Sequence, residues 1–202
     1  GTAMTECDQP GPDPMGLYDP GDDRDSCGFG LIAQLDDRAS RANVDAALDA
    51  LARMTHRGGV AADGLSGDGC GLLLKQPERF LRTLAKEAGF ALQFAAGLVF
   101  LPHDDAEAAR CRETLRTALA EVRLAVAGWR QLPVDADACG ATARANMPRI
   151  EQVFAAPLID VEGERPTPEA FRHALYLARR RATQRLQDVP AFYVVSLSAD
   201  SI

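Results

Sequence analysis

The sequence contains no apolar run near the roughly 20 residues that a helix needs to cross a bilayer. Its first 26 residues lack the basic start and apolar centre of a signal peptide, so the expectation is a cytoplasmic chain with no membrane partner. Cysteine is sparse. The five, Cys7, Cys27, Cys70, Cys111 and Cys139, are odd in number, widely spaced and without a C-x-x-C pair, which argues against a disulfide framework and a zinc site. Histidine is scarcer still: His56, His103 and His173 fall on separate stretches, a poor basis for a metal cluster or a Ser-His-Asp triad, and no metal is expected. A basic excess is also missing. With 29 Asp and Glu against 22 Lys and Arg, a net charge of -7, the chain is a poor candidate for nucleic acid or an anionic membrane. There is no internal repeat, no G-x-x-x-x-G-K-[ST] and no EF-hand spacing, so phosphate-loop and calcium readings have no footing.

What is present suits one globular domain or a large piece of one: 202 residues, 47% hydrophobic and 25% charged. Gly1–Ala3 reads as a vector remnant before Met4. Residues up to Ser26, with Pro10, Pro12, Pro14, Pro20 and many aspartates, form a leader poorly able to bury itself. Cys27–Gln34 reads as a strand whose glycines admit close backbone approach. A helix follows from an Asn43 cap to about His56, with Val44, Ala47, Leu48, Leu51 and Met54 on one face. His56 to Gly71 holds six glycines in an irregular loop, and "CGLLLK" reads as a buried strand. Pro77–Ala88 is a helix with Phe80, Leu81 and Leu84 on one face. Next come a strand at 93–101, a helix at 104–123, a strand from Leu124 closed by Pro133, and a loop at 133–147. The remainder is a strand at 149–156, a helix from the Thr167-Pro168-Glu169 start to about Gln187, and a strand "AFYVVSLS". Two strands joined only by loop fit an α+β fold better than a doubly wound parallel sheet.

On spacing alone Cys27 is more often a small buried hydrophobe than a nucleophile. Its place after the leader adds a second role. Cleavage after Ser26 gives it a free α-amino group, ordinarily of pKa about 8, beside a thiol of about 8.5, so one residue holds general base and nucleophile. Arg57 opens the glycine loop directly after a helix, where a cation also satisfies the helix end. Asp63 and Asp68 suit the ordinary task of Asp beside Gly, hydrogen-bonding nearby backbone. "GDGCG" leads into a strand, without the helix dipole that binds phosphate. Cys70, Cys111 and Cys139 read as core or incidental, and His103 and His173 as surface or cap residues.

Taken together, "LYDP…DSCGFG", "HRGGVAADGLSGDGCGLL", "GLVFLP", "GWRQLPVD" and "FYVVSLS" resemble the class II glutamine amidotransferase domain that begins glutamate synthase large subunits. The resemblance implies an N-terminal nucleophile hydrolase fold, a four-layer αββα sandwich, with residues 1–26 as remnant and propeptide and 27–202 as the N-terminal part of the domain. It implies Cys27 as nucleophile and Arg57 as the active-site arginine, with Gly28, His56, Gly58 and Asp68 supporting the active-site loops. The implied substrate is L-glutamine, hydrolysed through a thioester to glutamate and ammonia that serves glutamate synthesis from 2-oxoglutarate. This segment itself implies no cofactor, whereas FMN and an iron-sulfur cluster are implied for the complete large subunit, as is a small NADPH-oxidising subunit.

The family's oxyanion-hole segment, H-N-G-E, is not found in these residues. The expectation is therefore a fold incomplete at its C-terminus, an inactive fragment with its leader retained, and self-association through an unpaired edge at "AFYVVSLS". Two alternatives stand beside this: a non-catalytic binding or interaction module derived from the same fold, and an amidohydrolase of other specificity.

Overall fold

The computed structural model describes residues 28–54, 59–67, 69–87, 93–158 and 165–202. Its frame is one antiparallel sheet of four strands, β1 (Ala95–Leu101), β2 (Leu124–Gln131), β3 (Arg149–Pro157) and β4 (Tyr193–Ser198), ordered β2-β3-β1-β4. The helices in chain order are α1 (Arg41–Arg53), α2 (Glu78–Glu87), α3 (Asp105–Ala120), the short α4 (Ala141–Ala145) and α5 (Pro168–Arg185). The α+β expectation holds, with every strand pairing antiparallel.

The helix boundaries follow from their caps. The Asp104 carboxylate accepts from the Glu107 amide and starts α3, and Thr167 does the same for Ala170 at α5, with Pro168 just inside. At α1 the expected Asn43 cap is corrected. Ser40, extended at φ -139°, is the cap, and its hydroxyl accepts from the Asn43 amide at 3.2 Å, which places Asn43 inside the first turn. In α2, Leu81 is buried but the neighbouring Phe80 is exposed, because consecutive helical residues point about 100° apart.

Strand alternation divides the core. Ala95, Val99 and Leu101 of β1, with Val153 and Ala155 of β3, face α3 and α5 and meet Leu115, Leu119, Phe171 and Leu175. Full burial of each such leucine contributes on the order of 2 kcal/mol. Ala96 and Phe154 face the opposite way and join Phe94 and Leu81, with the two phenylalanine rings tilted at a centroid distance of 6.3 Å.

Two expected strands do not form. Residues 28–34 form no regular element and are exposed, with Phe29 and Leu31, and Leu35 just after them, open to solvent. The "GLLLK" stretch is half-open, with Leu73 exposed, and pairs only at its end, where Leu74 and Ile202 exchange bonds of 2.8 and 3.0 Å. The physical reason is that a strand exists through its ladder, and among the described residues these segments find almost no partner. The 133–147 stretch, read as loop, contains a 3₁₀ turn (Ala136–Ala138) as well as α4.

One charge is built into the apolar side. Glu151 lies on the helix-facing side of β3 and is 5% exposed. Arg112 of α3 meets it with two bonds, Nε at 2.8 Å and an Nη at 2.5 Å. Arg112→Met leaves that carboxylate buried and unpaired, so urea melts should show a loss of about 3 kcal/mol. Arg112→Met combined with Glu151→Leu should recover most of it, and a single variant as stable as the parent would show that the pair carries no such constraint.

Candidate active site

The glycine-rich stretch is a closed hairpin. Val60 bridges Gly67, the Ala61 amide donates to the Ser66 carbonyl at 2.7 Å, and Gly64 turns the chain at φ +69°, a conformation glycine adopts without strain. Asp63 sits at its tip. Its Oδ1 accepts from the Leu65 amide at 3.0 Å and the Ser66 amide at 2.7 Å, the local turn that Asp beside Gly commonly makes.

The same carboxylate also reaches across the fold. Oδ2 accepts from the Ser66 hydroxyl at 2.5 Å and from the Thr142 amide of α4 at 3.1 Å, while Ser66 Oγ accepts from the Ala143 amide at 3.0 Å. Two amides of the first turn of α4, those of Thr142 and Ala143, are thus taken by side chains of a hairpin more than 70 residues earlier. A phosphate-binding reading fails here on positive grounds, because the anion at this helix start is the protein's own. Gly140 fits where no other residue would: a Cβ there would lie 2.6 Å from the Ser66 amide and 2.7 Å from Asp63 Oδ2. Gly59, Val60 and Ala61 on one side and Thr142, Ala143 and Asn146 on the other border an open cleft of about 350 Å³.

These bonds set the electrostatics. The Ser66 hydroxyl first, then the amides of Ser66, Leu65 and Thr142, hold the Asp63 carboxyl well below the usual carboxylate range. Burial pushes the Cys111 thiol up, as befits an inert core residue. Cys70 is exposed and Cys139 half-buried. His103 is a connector: its Nε2 lies 2.6 Å from the Met147 carbonyl, and its own carbonyl accepts from Arg149 at 3.0 Å. His173 is exposed on α5. Among the described residues no three His, Cys, Asp or Glu side chains gather as a metal site, and no helix is long and apolar enough to cross a membrane.

Of the expected site residues, Gly28 is described and exposed, while Cys27, His56, Arg57, Gly58 and Asp68 lie outside the described residues. Their chain neighbours are placed. Gly59, which follows Gly58, stands beside Gly67, which precedes Asp68. The sequence reading gave Asp63 its local turn but missed Ser66 and the long reach to Thr142 and Ala143. Only the D-x-x-S spacing and the glycine just before "ATARA" hint at that reach.

A family model described as glutamine amidotransferases class-II matches residues 27–202. The chain is 36% identical over 193 residues to the glutamate synthase [NADPH] large chain of Azospirillum brasilense, covering 92% of this chain and 12% of that protein. It is 37% identical over 187 residues to ferredoxin-dependent glutamate synthase 1 of Arabidopsis thaliana, covering 89% and 11%. Against the glutamate synthase [NADH] of Saccharomyces cerevisiae it is 34% identical over 203 residues, covering 95% and 9%. It spans about a tenth of the length of these relatives.

For a carboxyl whose folded pKa is depressed, the stabilisation is complete above the unfolded value and is lost only as pH falls through the folded one. The Asp63 carboxyl carbon should therefore keep its ionised chemical shift as pH is lowered through about 3.9, where a free Asp is half-protonated. A midpoint at or above that value would contradict the bonding described.

Proposed function

The chain belongs to the class II glutamine amidotransferases, and from that premise we propose that it carries the nucleophile and the arginine loop of a glutaminase that feeds ammonia to glutamate synthesis. The observation that carries the reading is the match beginning at Cys27 itself, together with three relatives named as glutamate synthases that match about nine-tenths of this chain.

In this reading release of residues 1–26 frees the Cys27 amino group. That amine takes the thiol proton, and the thiolate attacks the side-chain amide carbon of glutamine. The tetrahedral oxyanion collapses as the amine returns the proton to nitrogen, ammonia leaves, and a γ-glutamyl thioester forms. Water, deprotonated by the same amine, then attacks the thioester to give glutamate and restore the thiol. Arg57 orients the N-terminal residue and the substrate, and Gly28, His56, Gly58 and Asp68 shape the surrounding loops. Flavin and iron-sulfur chemistry belong to the remainder of the large subunit, as does exchange with an NADPH-oxidising subunit, and no step of the hydrolysis uses them. The setting is cytoplasmic.

In the full-length enzyme, Cys27→Ala should lower glutamine hydrolysis by at least about 1000-fold while glutamate formation from added ammonia continues. N-terminal sequencing of active enzyme should begin at Cys27. Glutaminase activity surviving in Cys27→Ala would overturn the reading.

The edge strand gives a second expectation. Among the described residues β4 pairs only with β1, and it exposes Tyr193 and Val195, so the isolated chain should self-associate with rising concentration in light scattering, and Val195→Lys should shift it towards monomer. A concentration-independent monomer would refute this.

A further inference from the structure

We propose that Asp63 is a positioning residue for glutamine hydrolysis: it ties the 59–67 hairpin, which follows Arg57 by two residues in the sequence, to the start of α4. The inference rests on the glutaminase reading above.

Three observations lead to it. The first is that the bonding exceeds what a turn requires. Leu65 and Ser66 amides on Oδ1 would close the hairpin by themselves, yet Oδ2 and the Ser66 hydroxyl spend their acceptor capacity on Thr142 and Ala143, residues of another part of the chain. The second is the packing at Gly140, where the approach of backbone to the Asp63–Ser66 pair leaves no room for a side chain. The third is what does not hold the hairpin. No residue of 59–67 belongs to either apolar cluster, and Val60 and Leu65 are 64% and 79% exposed. Apolar burial therefore contributes little to where the hairpin stands, and the bonds through Asp63 and Ser66 fix it against α4.

The chemical consequence follows from chain connectivity. Arg57 lies two residues before Gly59 in the sequence, and the hairpin's two ends are joined at Val60 and Gly67, so a shift of the hairpin against α4 shifts Gly59, the described residue that follows the Arg57-Gly58 pair. It also changes the cleft between Ala61 and Thr142. A displacement of about 1 Å in a group that orients a substrate can cost on the order of 100-fold in rate. Global stability, seated in the sheet and its helices, is left nearly intact. That combination separates a positioning role from a merely structural one.

The test uses the full-length enzyme, with glutamine-dependent and ammonia-dependent glutamate formation measured side by side. Asp63→Ala should lower kcat/KM for glutamine on the order of 100-fold, chiefly through kcat, with ammonia-dependent synthesis and the thermal midpoint unchanged. Gly140→Ala should show the same pattern. In an Arg57→Ala background, Asp63→Ala should bring no further loss, since its effect runs through that arginine. If Asp63→Ala fails to fold, Ser66→Ala carries the test, because it removes only the acceptor for Ala143 and Asp63's hydroxyl donor. Unchanged kcat/KM in these variants, or a loss additive with Arg57→Ala, overturns the proposal alone. A parent enzyme unable to hydrolyse glutamine, or a Cys27→Ala variant still able to, overturns the glutaminase reading and the proposal with it.

Discussion

β1 is the strand on which the rest of the described structure depends. It is hydrogen-bonded along both edges, to β3 and β4, and covered on both faces. That double burial explains its opening residues, Ala95, Ala96 and Gly97. A Cβ on Gly97 would come within 3.1 Å of the Leu197 backbone, so the approach of β4 requires glycine there. Once β1 is fixed, β3 must present Val153 and Ala155 to the helices and Phe154 to the other side, because a slip of one residue would exchange the two cores. Glu151 falls on the helix face by the same alternation, and Arg112 of α3 is the partner that makes its burial tolerable.

The molecule is held by two kinds of force with different reach. The sheet, α3 and α5 cohere through non-directional apolar burial, which is insensitive to small rotations of side chains. The glycine hairpin is attached to α4 through directional bonds to a single carboxylate and a single hydroxyl. Such an attachment specifies position closely while involving little buried surface. It also explains the local composition. Glycine supplies the positive φ at Gly64 and the close approach at Gly140, and Asp63 and Ser66 supply acceptors that hydrophobic residues could not.

Elements whose signals are local were legible in the sequence. Asp104 before α3 and Thr167-Pro168-Glu169 at α5 announce their helices by side-chain chemistry that needs no distant partner. β1 to β4 were legible as apolar runs bounded by turns. The cap of α1 was misplaced by three residues because Ser40 and Asn43 are equally plausible acceptors until the backbone chooses. The failures share a cause. Residues 28–34 and 71–75 have strand composition, but strandness is conferred by a ladder, and composition does not report where the partner is. α4 was missed because five residues give no periodicity, and its start is specified by Asp63 and Ser66, distant in sequence. The chemical reading of Cys27 and Arg57 came from the motif set as a whole, since a lone cysteine and a helix-end arginine each have commoner explanations.

The arrangement of the described parts bears on how such a site tolerates change. Asp63 and Ser66 of the hairpin are bonded to the start of α4, and α4 belongs to the excursion between β2 and β3, neighbours in the sheet. Among the described residues the 132–148 segment, which joins two strands of the ladder, is therefore hydrogen-bonded to the hairpin through Thr142 and Ala143. Substitutions within the α3–α5 core can lower stability while leaving that attachment undisturbed, and changes within the segment can move the hairpin while the core stays packed. Gly140, Asp63 and Ser66 are by contrast each in close contact with a neighbour, so a change of size at Gly140 or of polarity at Asp63 or Ser66 acts on the hairpin's attachment.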